Sequence, residues 1–409
     1  MLNKLKNNNK KNIRVDGSAQ PVQRNCFIFN QLKTLITNKK AISVIVGIIV
    51  LIILLLLPTG YEEAAAYKGS VRVSARVLDT NENAIRNVGM VRFGEQLCEI
   101  ELLKGKFMGQ KVKAVNMLQG SLESDKVFSS GDKALVLVSY SDNEIISATM
   151  IDHYRINIEL ILAGIFIFLL VLLAGATGAR AVLSFSITVL TIWKVLVPLF
   201  LSGVNPVATG MAFAVFITLI SLALVYGFDS RCFAASSGAI LGVITTCVIG
   251  IVFSKLLNIH GAVMSYSQTL LYSGFEYLNL TEMFKAAIFI GAAGAMTDLS
   301  VDITSAVHEV VEQVPGIKWK AAAKSGFNVG RNAMGTLVTT LLLAYSGGYI
   351  VLLMTFMAQG TPIYNILNYR GVSAEILITL AGSIGLVTVA PFTAIVSGYL
   401  LTRGKQRLS

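Results

Sequence analysis

Runs of about 17 to 25 apolar residues recur along this chain, and they restrict its fold more than any other feature. A helix needs roughly 20 such residues to cross a hydrocarbon core about 30 Å thick. Only 14% of the 409 residues are charged, against about 25% in soluble domains. The chain is therefore predicted to be a mainly α membrane protein with about eight transmembrane helices. The runs cover approximately residues 41–58, 157–175, 181–202, 206–227, 232–254, 283–299, 333–358 and 374–401.

The basic residues predict the orientation of these spans. Residues 1–40 contain nine Lys or Arg and one acid, Asp16, and the positive-inside rule places such a tail in the cytoplasm. An even number of spans returns the basic tail at 403–409 to the same side. We therefore expect a multi-pass cell-membrane protein with both termini cytoplasmic. An anionic lipid leaflet explains the net charge of +11 better than nucleic acid does, so the lipid bilayer is the expected partner.

The first apolar run, residues 41–58, has two interpretations. It is a transmembrane anchor, or it is a signal sequence that is cleaved near Glu63-Ala64-Ala65-Ala66. The basic segment of 40 residues before it is much longer than the n-region of a signal sequence. That length favours the anchor.

A hydrophilic insertion, residues 59–155, separates the anchor from the multi-pass segment at 156–402. Apolar residues alternate with polar ones over residues 71–77, as in a half-buried strand. A turn is expected over 79–83, followed by strands near 89–103, 107–117, 134–140 and 144–151. We predict a small extracytoplasmic β-rich domain, either a barrel or a sandwich. The four scattered cysteines and the lone His153 suggest no metal site, disulfide framework or catalytic group, so no cofactor is expected.

Polar side chains inside the predicted spans carry the functional signal, because a charge at membrane depth costs about 2.5–3.5 kcal/mol on insertion scales. Four of them recur at every fourth position where the seventh span begins, with Arg331 alongside. They are Asn328, Asn332, Thr336 and Thr340. Such a row lines a polar pathway, or it holds the bundle together through hydrogen bonds between helices. Ser346-Gly347-Gly348 is predicted to interrupt the same span.

A row of acidic residues begins where the sixth span ends. Asp298, Asp302, Ser305, Glu309 and Glu312 share one side of a predicted amphipathic helix over 298–314 at the cytoplasmic face. The simplest interpretation is a solvated acidic surface. In the functional interpretation, Asp298 and Asp302 lie at the membrane boundary, face Arg331 or Lys324, and bind a cation or a proton.

Three stretches of the sequence resemble the YibE/F family of multi-pass membrane proteins. They are Gly291-Ala-Ala-Gly-Ala-Met-Thr-Asp298 with Ser305 and Glu309, the long stretch from Lys324 to Tyr345, and Ala381-Gly-Ser-Ile-Gly-Leu386. The resemblance extends more loosely to the third to fifth spans and to the inserted domain. It implies a membrane fold with a soluble insertion, and no established activity.

These features favour a transport-type protein that moves a small solute or ion. The residues expected to line or gate its path are Asp298, Asp302, Glu309, Lys324, Asn328, Arg331, Asn332, Thr336 and Thr340. The alternative is a non-transporting scaffold or sensor whose extracytoplasmic domain binds a cell-envelope component or a partner protein. The sequence has no nucleophile paired with a base and no Gly-x-x-x-x-Gly-Lys-Ser/Thr loop, so we expect neither an enzyme nor an ATP-driven pump. A homo-oligomer and a paired family-member subunit are both open as partners.

Overall fold

The computed structural model of the protein describes residues 39–61, 69–142 and 144–406, without the side chains of residues 39 and 404–406. Most of the predicted N-terminal tail, the proposed cleavage site at 63–66 and the last three residues lie outside the described residues. The chain divides into two compact units. The barrel unit consists of Leu51–Phe213 and His260–Ala286, and the bundle unit consists of Met1–Val50, Ala214–Ile259 and Ala287–Ser409.

Six strands form the domain that follows the first helix. They are β1 (Ser70–Asn81), β2 (Arg86–Val88), β3 (Val91–Leu102), β4 (Lys111–Gln119), β5 (Lys133–Ser141) and β6 (Glu144–His153). β1 pairs with β3 and β5, β5 pairs with β6, β6 with β4, and β4 with β3, so five strands close into a barrel. The short β2 pairs with the outer end of β3. Counted over the five barrel strands, the order 1-2-3-5-4-1 is that of the OB-fold, a Greek-key barrel.

Alternating side chains of the strands fill the barrel interior, as their sequence pattern predicts. Ile100, Leu102, Val136 and Val138 are buried there. Phe128, from the loop between β4 and β5, is also fully buried and plugs the barrel. β1 continues to Asn81, so the chain reverses later than the turn predicted over 79–83.

Asp125 orders the loop that carries Phe128. Its carboxylate accepts hydrogen bonds from the backbone N–H groups of Gln119, Gly120 and Ser121, at 3.1, 2.7 and 2.9 Å. These bonds favour the charged form and hold the pKa of Asp125 below its ordinary value. The loop is therefore a fixed part of the barrel at neutral pH.

The remainder of the described chain is helical. Its helices are α1 (Lys39–Leu56), α2 (Ile156–Thr191), α3 (Val197–Leu201), α4 (Pro206–Tyr226), α5 (Ser230–Leu256), α6 (Ser267–Tyr272), α7 (Leu280–Gln313), α8 (Trp319–Ser346), α9 (Ile350–Ala358), α10 (Ile363–Asn368) and α11 (Arg370–Gln406). Six segments of the described chain are long and apolar enough to cross a membrane. They are Ile156–Leu201, Pro206–Tyr226, Ser230–Leu256, Leu280–Gln313, Trp319–Ala358 and Arg370–Arg403, with Lys40–Leu56 as a shorter apolar helix. The protein is thus a multi-pass membrane protein.

The segment Ile156–Leu201 folds back on itself at Gly175. Its 46 residues would extend about 69 Å as one straight helix, more than twice the hydrocarbon thickness. Gly175 has φ 56° and ψ −131°, a conformation that glycine adopts without a Cβ clash. The rings of Phe166 and Phe185 lie 6.0 Å apart, although 19 residues of straight helix would separate them by about 28 Å. The chain therefore reverses at a single glycine. Arg180 lies in a helix and not in the loop expected between the second and third spans.

Three contacts join distant parts of the barrel unit. The Tyr266 hydroxyl donates to Glu123 Oε1 of the barrel at 3.2 Å, and the Tyr277 hydroxyl donates to the Leu201 carbonyl. The rings of Tyr61 and Phe275 are 6.4 Å apart. The end of α3, the chain after α1 and the segment between α5 and α7 therefore lie at the same end of this unit as the barrel.

Small residues bring the helices of the bundle unit into close contact. A Cβ at Gly238 of α5 would overlap Thr393 of α11, and one at Gly385 of α11 would overlap Thr246 of α5. At Gly326 of α8 it would overlap Val307 of α7. α11 therefore packs directly against α5, and α8 packs directly against α7, as small residues permit in membrane bundles.

Two predictions about helix continuity have different outcomes. The predicted interruption at Gly347 and Gly348 is confirmed, because α8 ends at Ser346 and a 3-10 turn over Gly347–Tyr349 precedes α9. The sixth span and the predicted amphipathic segment at 298–314 are instead one continuous helix, α7, of 34 residues. Asp298 is therefore held by a regular helix on both sides.

Candidate functional site

The acidic row lies on the surface of α7. Asp298, Asp302 and Glu309 are exposed, whereas Leu299 and Ile303 on the opposite side of the helix are fully buried. The predicted grouping of the acids on one side of the helix is observed. Their carboxylates are thus free of the packed interior of the bundle unit.

Tyr226 joins the acidic row to a neighbouring helix. The Tyr226 hydroxyl at the end of α4 lies 2.7 Å from Ser305 Oγ and 2.8 Å from the Val301 carbonyl oxygen. The Arg231 guanidinium lies over the Tyr226 ring, 5.4 Å from its centroid. This Tyr226 contact fixes α4 against the side of α7 that carries the acids.

A second polar surface lies on α8. Lys324, Asn328, Arg331, Asn332, Thr336 and Thr340 are all exposed. The opposite side of α8 consists of small residues, and Ala322, Ala323, Gly326 and Gly330 are buried. We call the six exposed residues the α8 polar face. It extends over 17 residues, about 24 Å along the helix.

Some groups of the α8 polar face are satisfied within the helix. The Thr336 hydroxyl donates to the Ala333 carbonyl at 2.9 Å, and the Thr340 hydroxyl donates to the Thr336 carbonyl at 3.0 Å. The Arg331 guanidinium lies over the Phe327 ring, 5.4 Å from its centroid. Among the described residues, the Asn328 and Asn332 side chains make no hydrogen bond. The face therefore presents two amides and two cations outward.

The acidic row and the α8 polar face are not joined by ion pairs. The ion pairs found within the described ranges do not include Asp298, Asp302, Lys324 or Arg331. The direct pairing of these acids with these cations, which the sequence suggested, is thus not observed. α8 packs against α7 through Gly326, which contacts Ile303 and Val307.

The described part of the chain contains no group of three or more His, Cys, Asp and Glu side chains arranged to hold a metal ion. The two rows present carboxylate, amide, hydroxyl, ammonium and guanidinium groups. Such groups bind ions and small polar solutes.

Comparison with known proteins adds a family to this geometry. The sequence profile of a family described as YibE/F-like protein matches residues 162–403, more than half of the 409 residues. The chain belongs to the YibE/F-like protein family. No curated protein and no solved structure matches it.

The YibE/F-like match contains the whole candidate site. The nine predicted residues all fall between 162 and 403, and so do Tyr226 and the fold-back at Gly175. The barrel lies before the matched residues, so the looser resemblance proposed for the inserted domain has no support from this match.

The sequence interpretation passed over one acid in the matched region. Glu375 lies in the second turn of α11 and is half-buried. Its Oε1 atom is buried and, within the described chain, has no hydrogen-bond partner. The sequence does mark this residue, because Glu375 is the single acid in the apolar run predicted as the eighth span.

Proposed function

We propose that this YibE/F-like protein is a transport-type membrane protein that moves a small solute or ion along the α8 polar face and the acidic row of α7. The observation that carries this proposal is the exposure of six polar residues on a helix long enough to span a membrane. A polar side chain that faced lipid at membrane depth without a hydrogen-bond partner would be unfavourable. These groups therefore need water, a solute or another protein surface beside them.

The proposed membrane topology has eight spans, with both termini cytoplasmic and the barrel outside. The fold-back at Gly175 supports counting Ile156–Leu201 as two spans. The contacts of Tyr266 with Glu123 and of Tyr277 with Leu201 support the same count. If the segment crossed once, Leu201 would lie on the side of the membrane opposite to the barrel.

This topology places the proposed path across the cytoplasmic half of the membrane. α7 extends about 51 Å over its 34 residues, so its C-terminal part projects beyond a core about 30 Å thick. Asp298 is 18 residues after Leu280, about 27 Å along the helix, which is near the cytoplasmic boundary. Asp302 and Glu309 then lie in the aqueous phase, where they attract cations.

Transport would be secondary or would depend on a partner, since the sequence has no phosphate-binding loop. Lipid is the expected surrounding of the apolar helices. A second copy of the chain, or a paired family member, is the proposed protein partner that would close the outer wall of the path.

The test is charge movement by the purified protein in liposomes on a solid-supported membrane, screened with ion and solute jumps. Asp298→Asn and Arg331→Gln are expected to reduce the current by about tenfold or more, the effect of losing about 1.4 kcal/mol of interaction. Lys318→Gln is the matched control, because Lys318 is an exposed cation that precedes α8. Silence of the folded wild type across a broad panel would contradict transport.

A scaffold or sensor is the second candidate, and one observation favours it. Phe93 and Leu97 of β3 and Met117 of β4 are 41%, 43% and 52% exposed on neighbouring strands that pair directly. In OB-folds this pair of strands forms the ligand-binding face. If the barrel binds an envelope component, Phe93→Ala and Met117→Ala should abolish cosedimentation of the protein with isolated cell-wall material, and Ile146→Ala on β6, which is 69% exposed, should not.

A further inference from the structure

Glu375 occupies an unusual position for a carboxylic acid. It lies within the apolar segment Arg370–Arg403, which is long enough to span a membrane, and its Oε1 atom is buried. The described residues supply neither a hydrogen-bond donor to this atom nor an ion-pair partner to the side chain. An ionised carboxylate that is removed from water without a partner is strongly unfavourable.

Tyr345 provides a second buried oxygen close by. Its hydroxyl oxygen is buried and makes no hydrogen bond within the described chain. A Cβ at Gly291 of α7 would come 2.8 Å from this oxygen, and one at Gly382 of α11 would come 4.0 Å from the edge of the ring. The missing side chains at these two glycines make the space that the tyrosine fills. The ring is thus fixed between α7 and α11.

Helix geometry places Glu375 on the same face of α11 as Gly382, the glycine next to the Tyr345 ring. Glu375 precedes Gly382 by seven residues on α11, which is two turns on the same face. The carboxyl group interacts electrostatically with Tyr345 at the end of α8 and with Tyr349 in the 3-10 turn. Tyr369, just before α11, interacts in turn with Tyr349. Both groups that interact with the Glu375 charge in this way are phenols.

A carboxyl group among phenols is suited to reversible protonation. A neutral carboxylic acid donates one hydrogen bond, and a phenol oxygen accepts it. After the proton leaves, the phenol O–H donates to the carboxylate, a charge-assisted bond that favours the ionised form. A phenol that reaches the carboxyl would thus serve both states without placing a permanent positive charge beside it.

We propose that Glu375 is a proton-binding site of the membrane domain, with Tyr345 and Tyr349 as positioning residues that stabilise its ionised form. The role of this site rests on the proposed transport function, because the site would couple proton movement to solute movement. Protons bind and leave at the Glu375 carboxyl, and the tyrosines keep their O–H groups.

The experiment is labelling of the intact protein in lipid nanodiscs with dicyclohexylcarbodiimide, which reacts with protonated carboxyl groups in apolar surroundings. Mass spectrometry locates the adduct over a series from about pH 5 to about pH 9. Glu375 is expected to be labelled at low pH, and the labelled fraction should fall about tenfold for each pH unit once the carboxyl ionises. Glu282 is the internal control, since it forms an ion pair with Lys285 at 2.6 Å, and it should not be labelled.

Variants test the role of the tyrosines. Glu375→Gln should lose the adduct. Tyr345→Phe and Tyr349→Phe remove donors to the carboxylate, so labelling should persist to higher pH. Tyr364→Phe is the matched control, because Tyr364 is 78% exposed in α10, and its pH profile should equal that of the wild type.

Two results would overturn the site. One is an unlabelled Glu375 at every pH in protein that is folded. The other is loss of the label when sodium chloride replaces choline chloride, which would make it a sodium site. Labelling does not require transport, so it tests the proton-binding site independently of the proposed function. A Glu375→Gln variant with full currents and no adduct would support transport and reject the coupling role of Glu375.

Discussion

Gln96 is completely buried in the barrel, and its amide group bridges two parts of the chain. Its Nε2 donates to the Phe128 carbonyl at 2.8 Å, and its Oε1 accepts from the Phe128 N–H at 3.0 Å. The Asn116 amide donates to the same Oε1 at 3.1 Å. One side chain thus satisfies the backbone of the residue that plugs the barrel.

Gln96→Leu should destabilise the barrel by about 3 kcal/mol, because it leaves the buried N–H and C=O of Phe128 unsatisfied. For a domain of this size that corresponds to a urea midpoint lower by about 2 M. Exposure of Cys98 to a thiol reagent in rising urea measures the midpoint. Gln119→Leu, on the exposed end of β4, should change the stability by less than about 0.5 kcal/mol; equal shifts for both variants would reject a special role of Gln96.

Cys98 is suited to that measurement because its thiol is expected to be unreactive in the folded barrel. It is 1% exposed, and burial, with a smaller effect of Glu82, raises the pKa of its thiol to about 11. Relative to an ordinary thiol, the thiolate fraction is lower by about 100-fold. We expect alkylation of native Cys98 to be slower by at least that factor than in urea, and to accelerate as pH rises. Rapid labelling of the native protein at neutral pH would show that the barrel opens.

At the scale of helices, Gly385 marks the closest meeting of three elements. A Cβ there would overlap Thr246 of α5, and it would lie 2.6 Å from the Met296 side chain of α7. Gly385→Ala should therefore cost about 1–3 kcal/mol through overpacking, seen as a lower melting temperature in detergent. Gly335→Ala on α8 is the matched control, since no atom lies within 4 Å of its Cβ. A melting temperature unchanged by both substitutions would show that α11 does not pack as described.

The elements that the sequence predicted well are those with a local signal. Alternation of apolar residues located five strands, and long apolar runs located the helices. Closure of the barrel depends on β1–β3 and β4–β6 pairs that are distant in the sequence, and no local pattern encodes them. His153 also has a partner that no local pattern reveals. Asp132, 4.0 Å away, lies just before β5 and is distant from His153 in the sequence. The exposed acids of α7 were predicted, but the burial of Glu375 Oε1 depends on the packing of helices that no local pattern encodes.

At the scale of the whole molecule, the proposed topology depends on the fold-back at Gly175. With a cytoplasmic N-terminus and two spans in Ile156–Leu201, as proposed, the loop before α8 would be cytoplasmic and the loop after α9 would be outside. With one span, both would change sides. Basic residues support the first arrangement, since Lys318, Lys320 and Lys324 cluster where α8 begins.

A cysteine placed at Gly316 should therefore be protected from a membrane-impermeant maleimide in intact cells, and one placed at Gly360 should be labelled. Both positions are exposed, have positive φ and have no atom within 4 Å of a Cβ, so the pair is matched in strain and access. Lysis should expose Gly316→Cys, and a cysteine at Ser121 in the barrel loop should behave like Gly360→Cys. The reverse pattern at Gly316 and Gly360, with Ser121→Cys still labelled from outside, would require a single crossing between residues 156 and 201. The polar face of α8 would then begin at the outer surface, and the acids of α7 would lie outside as well.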